Sequence, residues 1–177
     1  ARPGGVVDGA RHAALYMEFL RSTFPAMLDL GGLKLVVDCA NGSASRFAPE
    51  LFESLGAQVV ALSCGPNCRN INAGCGALFP QAMQRAVVKH DADAGICFDG
   101  DADRAIFADE KGALLDGDSI ICLGAQRLRR QGLLRNGKVV LTVMANFGLV
   151  KSLRDQGIDV VSVPVGDRNV SEAIERE

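Results

Sequence analysis

The sequence predicts an α/β protein, built as tandem mixed α/β/α sandwich domains of like topology with the second one incomplete. Three observations carry that expectation. Short apolar runs alternate with segments of helical spacing, the order that covers a sheet with helices on both faces. A strand–turn–helix–glycine–strand pattern occurs twice, about a hundred residues apart. An acidic loop follows directly on one apolar run, and ligands in such sheets gather at the carboxyl ends of strands.

Taken in chain order, Ala10 to Leu20 has helical spacing, with Ala14, Leu15, Met17 and Phe19 to bury. Lys34 to Cys39 reads as a buried strand running into an Asn41-Gly42 turn. A helix is expected over Arg46 to Leu55: Pro49 is tolerated near its first turn and Gly56 stops it. Val59 to Leu62 makes a second strand, and the Gly-, Asn- and Cys-rich stretch from Cys64 to Leu78 a loop. Pro80 to Lys89 reads as helix and Ala94 to Phe98 as strand. Ala105 to Ala108 and Ala113 to Leu115 form a hairpin around Asp109-Glu110-Lys111-Gly112.

A second unit begins near Asp116, whose Asp116-Gly117-Asp118-Ser119 segment suits the start of a helix over Ile120 to Arg130. A strand over Lys138 to Val143, a helix over Leu149 to Gln156 and a strand over Val160 to Val163 follow. The two halves align at Asn41 with Asn146 and at Gly56 with Gly157, spacings of 105 and 101 residues. The domain expectation is therefore a linker over 1–11, a domain over 12–115, and the beginning of a similar domain over 116–177. The chain lacks an initiating Met, and a preceding domain is expected before the linker.

Composition narrows the function classes. Hydrophobic content of 48% and charged content of 23% are those of a globular protein. A net charge of −2 gives no basic footprint, so nucleic acid is not expected as a partner. Arg127, Arg129, Arg130 and Arg135 fall at a helix end, where cations suit the dipole. No run approaches the roughly 18 apolar residues of a membrane span, so no membrane partner is expected. The six cysteines have no disulfide-framework spacing, and reduced thiols in a cytoplasmic setting are expected. Cys64, Cys68 and Cys75 lie within twelve residues but lack C-x2-C spacing, which makes a zinc site there a minor alternative.

The most informative segment is Asp99-Gly100-Asp101-Ala102-Asp103-Arg104. Extended backbone would put the three alternating aspartates on one side. Three carboxylates converging on one point need a positive charge among them. Hard oxygen donors favour a hard dication, Mg²⁺ ahead of Mn²⁺ or Ca²⁺. Arg104 adds a cation able to hold an anionic substrate beside the metal. A solvated acidic turn and an EF-hand compete as readings. Asp99, Asp101, Asp103 and Glu110 fall at EF-hand positions, but the required glycine is replaced by Arg104 and the preceding segment is strand-like.

The aspartate loop and the tandem α/β units resemble the α-D-phosphohexomutase superfamily. Val36 to Gly42, Asn70-Ile71-Asn72, Cys75-Gly76-Ala77, Asp116-Gly117-Asp118 and Val165-Gly166-Asp167-Arg168 resemble its bacterial phosphoglucosamine mutase branch. The resemblance implies four domains, this chain holding the second and the opening of the third. It implies interconversion of glucosamine 6-phosphate and glucosamine 1-phosphate through a phosphoserine and a bisphosphate intermediate. One Mg²⁺ would be held by Asp99, Asp101 and Asp103, with Arg104 as the catalytic residue facing the transferring phosphate. Gly166, Asp167 and Arg168 would border the substrate. The implied partners are a hexosamine phosphate and the other domains of the same chain, because the family's phosphoserine and sugar-binding loops have no counterpart in these residues. A phosphomannomutase or phosphoglucomutase of the same superfamily, or a non-enzymatic module binding a divalent cation, are the alternatives.

Overall fold

The computed structural model describes residues 9–177, and the chain divides into two compact units between Leu114 and Leu115. The linker expected over 1–11 lies outside the described residues for 1–8. Residues 10 and 11 already belong to α1 (Ala10–Ser22).

In the first unit a five-stranded sheet has the order β2 (Gln58–Leu62), β1 (Lys34–Asp38), β3 (Ala94–Phe98), β4 (Ala105–Ala108), β5 (Leu114–Leu115). β1 runs parallel to β2 and to β3, whereas β3 and β4 are antiparallel. The period-2 alternation of β1 divides its side chains between two cores. Val36 joins Met83, Val87, Ala92, Cys97 and Ala108 on the face covered by α3 (Gln81–His90). Leu35, Val37 and Cys39 join Ala44, Ala48 and Ala57 on the face covered by α2 (Ala48–Ser54). Burial on both faces explains the unbroken apolar run from Leu35 to Val37.

The helix expected from Arg46 begins later. A 3-10 turn spans Ser43–Arg46, and α2 starts at Ala48 with Pro49 in its first turn, where proline's fixed φ and missing N–H cost nothing. The 64–78 loop holds a further 3-10 turn at Gly76–Leu78.

In the second unit α4 (Gly117–Arg130) starts three residues earlier than expected. The Asp116 side chain accepts hydrogen bonds from the Ser119 N–H at 2.9 Å and the Ser119 hydroxyl at 2.8 Å, which fixes the first turn. β6 (Lys138–Thr142) and β7 (Asp159–Val163) pair in parallel across α5 (Phe147–Asp155). Leu141, Leu149, Leu153, Ile158 and Ala125 form the core. A last helix, α6 (Asp167–Arg176), was not expected.

Both units thus contain a parallel β–α–β turn of the predicted kind, with Gly56 and Gly157 each at positive φ after the helix. The aligned asparagines do different work. Asn146 caps α5 by accepting from the Gly148 N–H at 2.7 Å. Asn41, at φ +49°, ties the turn after β1 to Gly65, whose N–H it accepts at 3.1 Å.

Candidate metal centre

The six-residue loop joins β3 to the antiparallel β4, so its ends are already held together. The Asp99 N–H donates to the Arg104 carbonyl at 3.2 Å, and the Ala102 N–H donates to the Asp99 carbonyl at 3.1 Å. Ala102 is at φ +63°. The chain therefore turns through the loop and does not stay extended, contrary to the alternation argument. The convergence survives this change of cause: Asp99, Asp101 and Asp103 each bring one carboxylate oxygen into a group whose members all lie within 4.8 Å of one another. Asp99 is buried, with 1% of its surface exposed, while Asp101 and Asp103 are open to solvent.

Arg104 provides the countercharge. Its Nε lies 2.8 Å from Asp99 Oδ2 and 3.4 Å from Asp103 Oδ1, and its backbone N–H donates to Asp99 Oδ1 at 3.1 Å. Burial pushes the Asp99 carboxyl up, but the Arg104 N–H and guanidinium, with a hydrogen bond to Asp103, outweigh it and hold Asp99 below the ordinary carboxylate value. Asp103 is raised, first by the hydrogen bond to Asp99 and then by the charge of Asp101. One guanidinium against three carboxylates leaves negative charge over. The donor set, all carboxylate oxygens and partly open to water, fits a hard divalent cation. Asp99, Asp101 and Asp103 are the residues that could hold it.

Two competing readings of the loop and its neighbours are corrected by the fold. An EF-hand needs helices on either side, and here strands β3 and β4 flank the loop. Among the described residues no other three His, Cys, Asp or Glu side chains converge within that distance, so Cys64, Cys68 and Cys75 do not form a zinc site. All six cysteines are free. Burial, then the neighbouring Asp38 and Cys75, pushes the Cys97 thiol up to about 12, so it stays protonated behind the loop.

Several residues that frame the loop were not singled out as site residues from the sequence. Gly42 passes so close to Gly100 that a Cβ on Gly42 would sit 2.2 Å from the Gly100 carbonyl oxygen, and that oxygen accepts the Ser43 N–H at 2.9 Å. On the other side, a Cβ on Gly100 would meet the side chains of Ile71 and Asn72 at 2.7 and 2.8 Å. The Asn72 N–H donates to the Ala40 carbonyl at 2.9 Å. Beneath both segments lies Asp38, fully buried, accepting the Ala40 N–H at 2.9 Å and the Gly76 N–H at 3.1 Å. The signal was present in the sequence as an acid ending an apolar run, Val36-Val37-Asp38, where a strand residue buried on both faces is ordinarily apolar.

The remaining predicted site residues lie in the second unit. Gly166 is the residue before α6, and Asp167 and Arg168 form its first turn. Arg168 is 90% exposed and its Nε pairs with Glu172 Oε1 at 2.7 Å.

A parallel-led α/β sheet carries the acidic loop at a strand's carboxyl end and a second α/β unit follows, the arrangement that the resemblance to the phosphohexomutases implies. The comparisons agree. Residues 14–112 match the family model for phosphoglucomutase/phosphomannomutase α/β/α domain II, and residues 116–177 match that for domain III. The chain belongs to the phosphoglucomutase/phosphomannomutase family. Within it, the chain is 50% identical over 155 residues to the phosphoglucosamine mutase of Chlamydia felis, covering 88% of this chain and 34% of that protein. Among solved structures it is similar to a phosphoglucomutase/phosphomannomutase family protein of Burkholderia thailandensis, with TM-score 0.76 and 26% identity over 93% of this chain and 35% of that one. It is also similar to the N-acetylphosphoglucosamine mutase of Aspergillus fumigatus in complex with GlcNAc-6P and magnesium, with TM-score 0.62 and 25% identity over 91% of this chain and 36% of that one. The chain thus spans about a third of the length of its curated relatives.

Proposed function

We propose that these residues are the metal-holding part of a phosphoglucosamine mutase, an isomerase that moves a phosphoryl group between the 6- and 1-positions of a glucosamine phosphate. The observation that carries the reading is the convergence of Asp99, Asp101 and Asp103 in a chain half-identical to enzymes of that name. Phosphoryl transfer asks the protein mainly to position groups and to neutralise charge on oxygens. A bound Mg²⁺ would supply that neutralisation at the donor serine phosphate. Asp99, held by Arg104 and the strand end, and the solvent-facing Asp101 and Asp103 would be the residues that hold the cation. The Arg104 guanidinium is held beside the acids by single contacts through Nε. Its remaining N–H groups are then free to face a phosphate.

In this reading Gly166, Asp167 and Arg168 border the sugar phosphate, while the phosphoserine and sugar-binding loops belong to other domains of the same polypeptide. Activity through a bisphosphate intermediate, in the cytoplasm, is part of the proposal. The non-enzymatic cation-binding module is disfavoured by identity to enzymes spread over both units.

The test is a coupled assay of glucosamine 6-phosphate conversion by the complete polypeptide. Turnover is expected, with Asp101→Ala abolishing it. Arg104→Ala should lower kcat/KM while calorimetric Mg²⁺ binding persists. The 177-residue chain alone should show no conversion. A fully active Asp101→Ala enzyme would remove the metal reading, and preference for a mannose or glucose phosphate would move the assignment to another branch.

A further inference from the structure

The buried carboxylate of Asp38 is hydrogen-bonded to the two backbone segments that lie against Gly100 of the acidic loop. Its Oδ1 accepts the Ala40 N–H at 2.9 Å and its Oδ2 accepts the Gly76 N–H at 3.1 Å. Those two bonds hold the segments on either side of Gly100. The first runs from Ala40 to Ser43, whose N–H donates to the Gly100 carbonyl at 2.9 Å. The second runs from Ile71 to Gly76, with Ile71 and Asn72 against Gly100, and a Cβ on Gly76 would sit 2.5 Å from the Phe98 carbonyl oxygen. The Asn72 N–H joins the two segments through the Ala40 carbonyl at 2.9 Å. Asp38 also pairs with Cys97 across the β1–β3 register, two residues before Asp99.

The conformations held this way are not ones the chain would keep unaided. Ala40, Asn41 and Asn72 are all at positive φ, +54°, +49° and +57°, which L-residues adopt at a cost and keep only where the surroundings enforce it. A buried carboxylate is itself expensive unless its oxygens accept hydrogen bonds. Ala could end β1 more cheaply if only the strand mattered. Asparagine would not substitute, because its NH₂ would face one of the two N–H groups as donor against donor.

We propose that Asp38 is a positioning residue for the metal site, clamping the 40–43 and 71–76 segments against Gly100 so that the three carboxylates are held at the spacing a divalent cation requires. The inference rests on the metal reading above. Groups that orient metal ligands without touching the ion typically contribute 10–100-fold to affinity.

The test is Mn²⁺ binding to the 177-residue chain by calorimetry, for wild type, Asp38→Asn, Gly42→Ala and Val87→Ala. Asp38→Asn is expected to bind about 10–100-fold more weakly. Gly42→Ala leaves Asp38 intact but pushes on the Gly100 carbonyl, and the same order of loss is expected. It decides the matter if Asp38→Asn does not fold. Val87→Ala opens a cavity in the core of the same unit and is expected to lower the melting temperature while binding Mn²⁺ as wild type does. Wild-type affinity in a folded Asp38→Asn or Gly42→Ala protein would overturn the inference, as would an equal loss in Val87→Ala. Absence of Mn²⁺ binding by wild type would remove the metal reading itself, a distinguishable failure.

Discussion

Asp99 and Asp103 lie in one loop and are pushed in opposite directions, and the difference shows which of them serves the fold. Asp99 is buried and receives two hydrogen bonds from Arg104. Its lowered pKa contributes stability that is present above the ordinary carboxylate value and is lost as pH falls through the lowered one. Asp99→Ala should therefore lower the melting temperature of the metal-free protein, because it removes both hydrogen bonds that Arg104 makes to the buried carboxylate. Asp103 is exposed, and its raised pKa means that the folded state prefers it protonated. Its ionisation subtracts from stability as pH rises through that raised value. Metal-free Asp103→Asn should melt higher than wild type at pH 7, and the gap should close as the pH is lowered until wild-type Asp103 is itself protonated. Melting curves across that range measure it, and a lower melting temperature for Asp103→Asn at pH 7 would assign Asp103 to the fold. The convergence of the three carboxylates of Asp-x-Asp-x-Asp was legible because it is written in residue types. How the carboxylates converge was not, since the positive φ of Ala102 is a backbone property that its side chain does not announce.

Among the elements, strands with burial on both faces were read correctly; the Asp116–Ser119 cap was also recognised, but the helix it starts was placed three residues late, and α6 was not expected. β3 and β4 fall where their apolar runs place them, because a strand covered by helices needs apolar residues throughout its length. α4 and α6 start where polar side chains and a glycine at positive φ redirect the chain, signals of one or two residues that periodicity does not weigh. The Asp116 cap makes that dependence measurable. Its pKa is lowered by the Ser119 N–H and then by the Ser119 hydroxyl. The capping contribution is present above the ordinary carboxylate value and lost as pH falls through the lowered one. Asp116→Ala should thus lower the stability of residues 115–177 at pH 7 and add little at pH 2, followed by hydrogen exchange at α4 amides. An undiminished α4 at pH 7 would show that packing alone sets the start of that helix. Leu153→Ala, by contrast, should cost about 2–5 kcal/mol at any pH, since Leu153 is fully buried in the second unit's core.

At the scale of the molecule the two units differ in how much they bury. The first has a five-stranded sheet with a core on each face. The second has two strands and one core cluster. The tandem organisation was legible from the repeat, because a parallel β–α–β unit writes its turn and its glycine into the sequence. The weaker burial of the second unit was expected from its having only two strand-like runs, and two strands pair there against five in the first. Stability follows buried apolar surface, and regions with few buried contacts open at lower free energy. In the 177-residue chain the amides of β6 and β7 are therefore expected to exchange faster than those of β1 and β3, and thermal unfolding should proceed in two steps with residues 115–177 melting first. Leu153→Ala should move only the first step and Val87→Ala only the second. A single transition, with β1 and β6 amides equally protected in a demonstrated monomer, would mean that the two units stabilise each other and unfold as one.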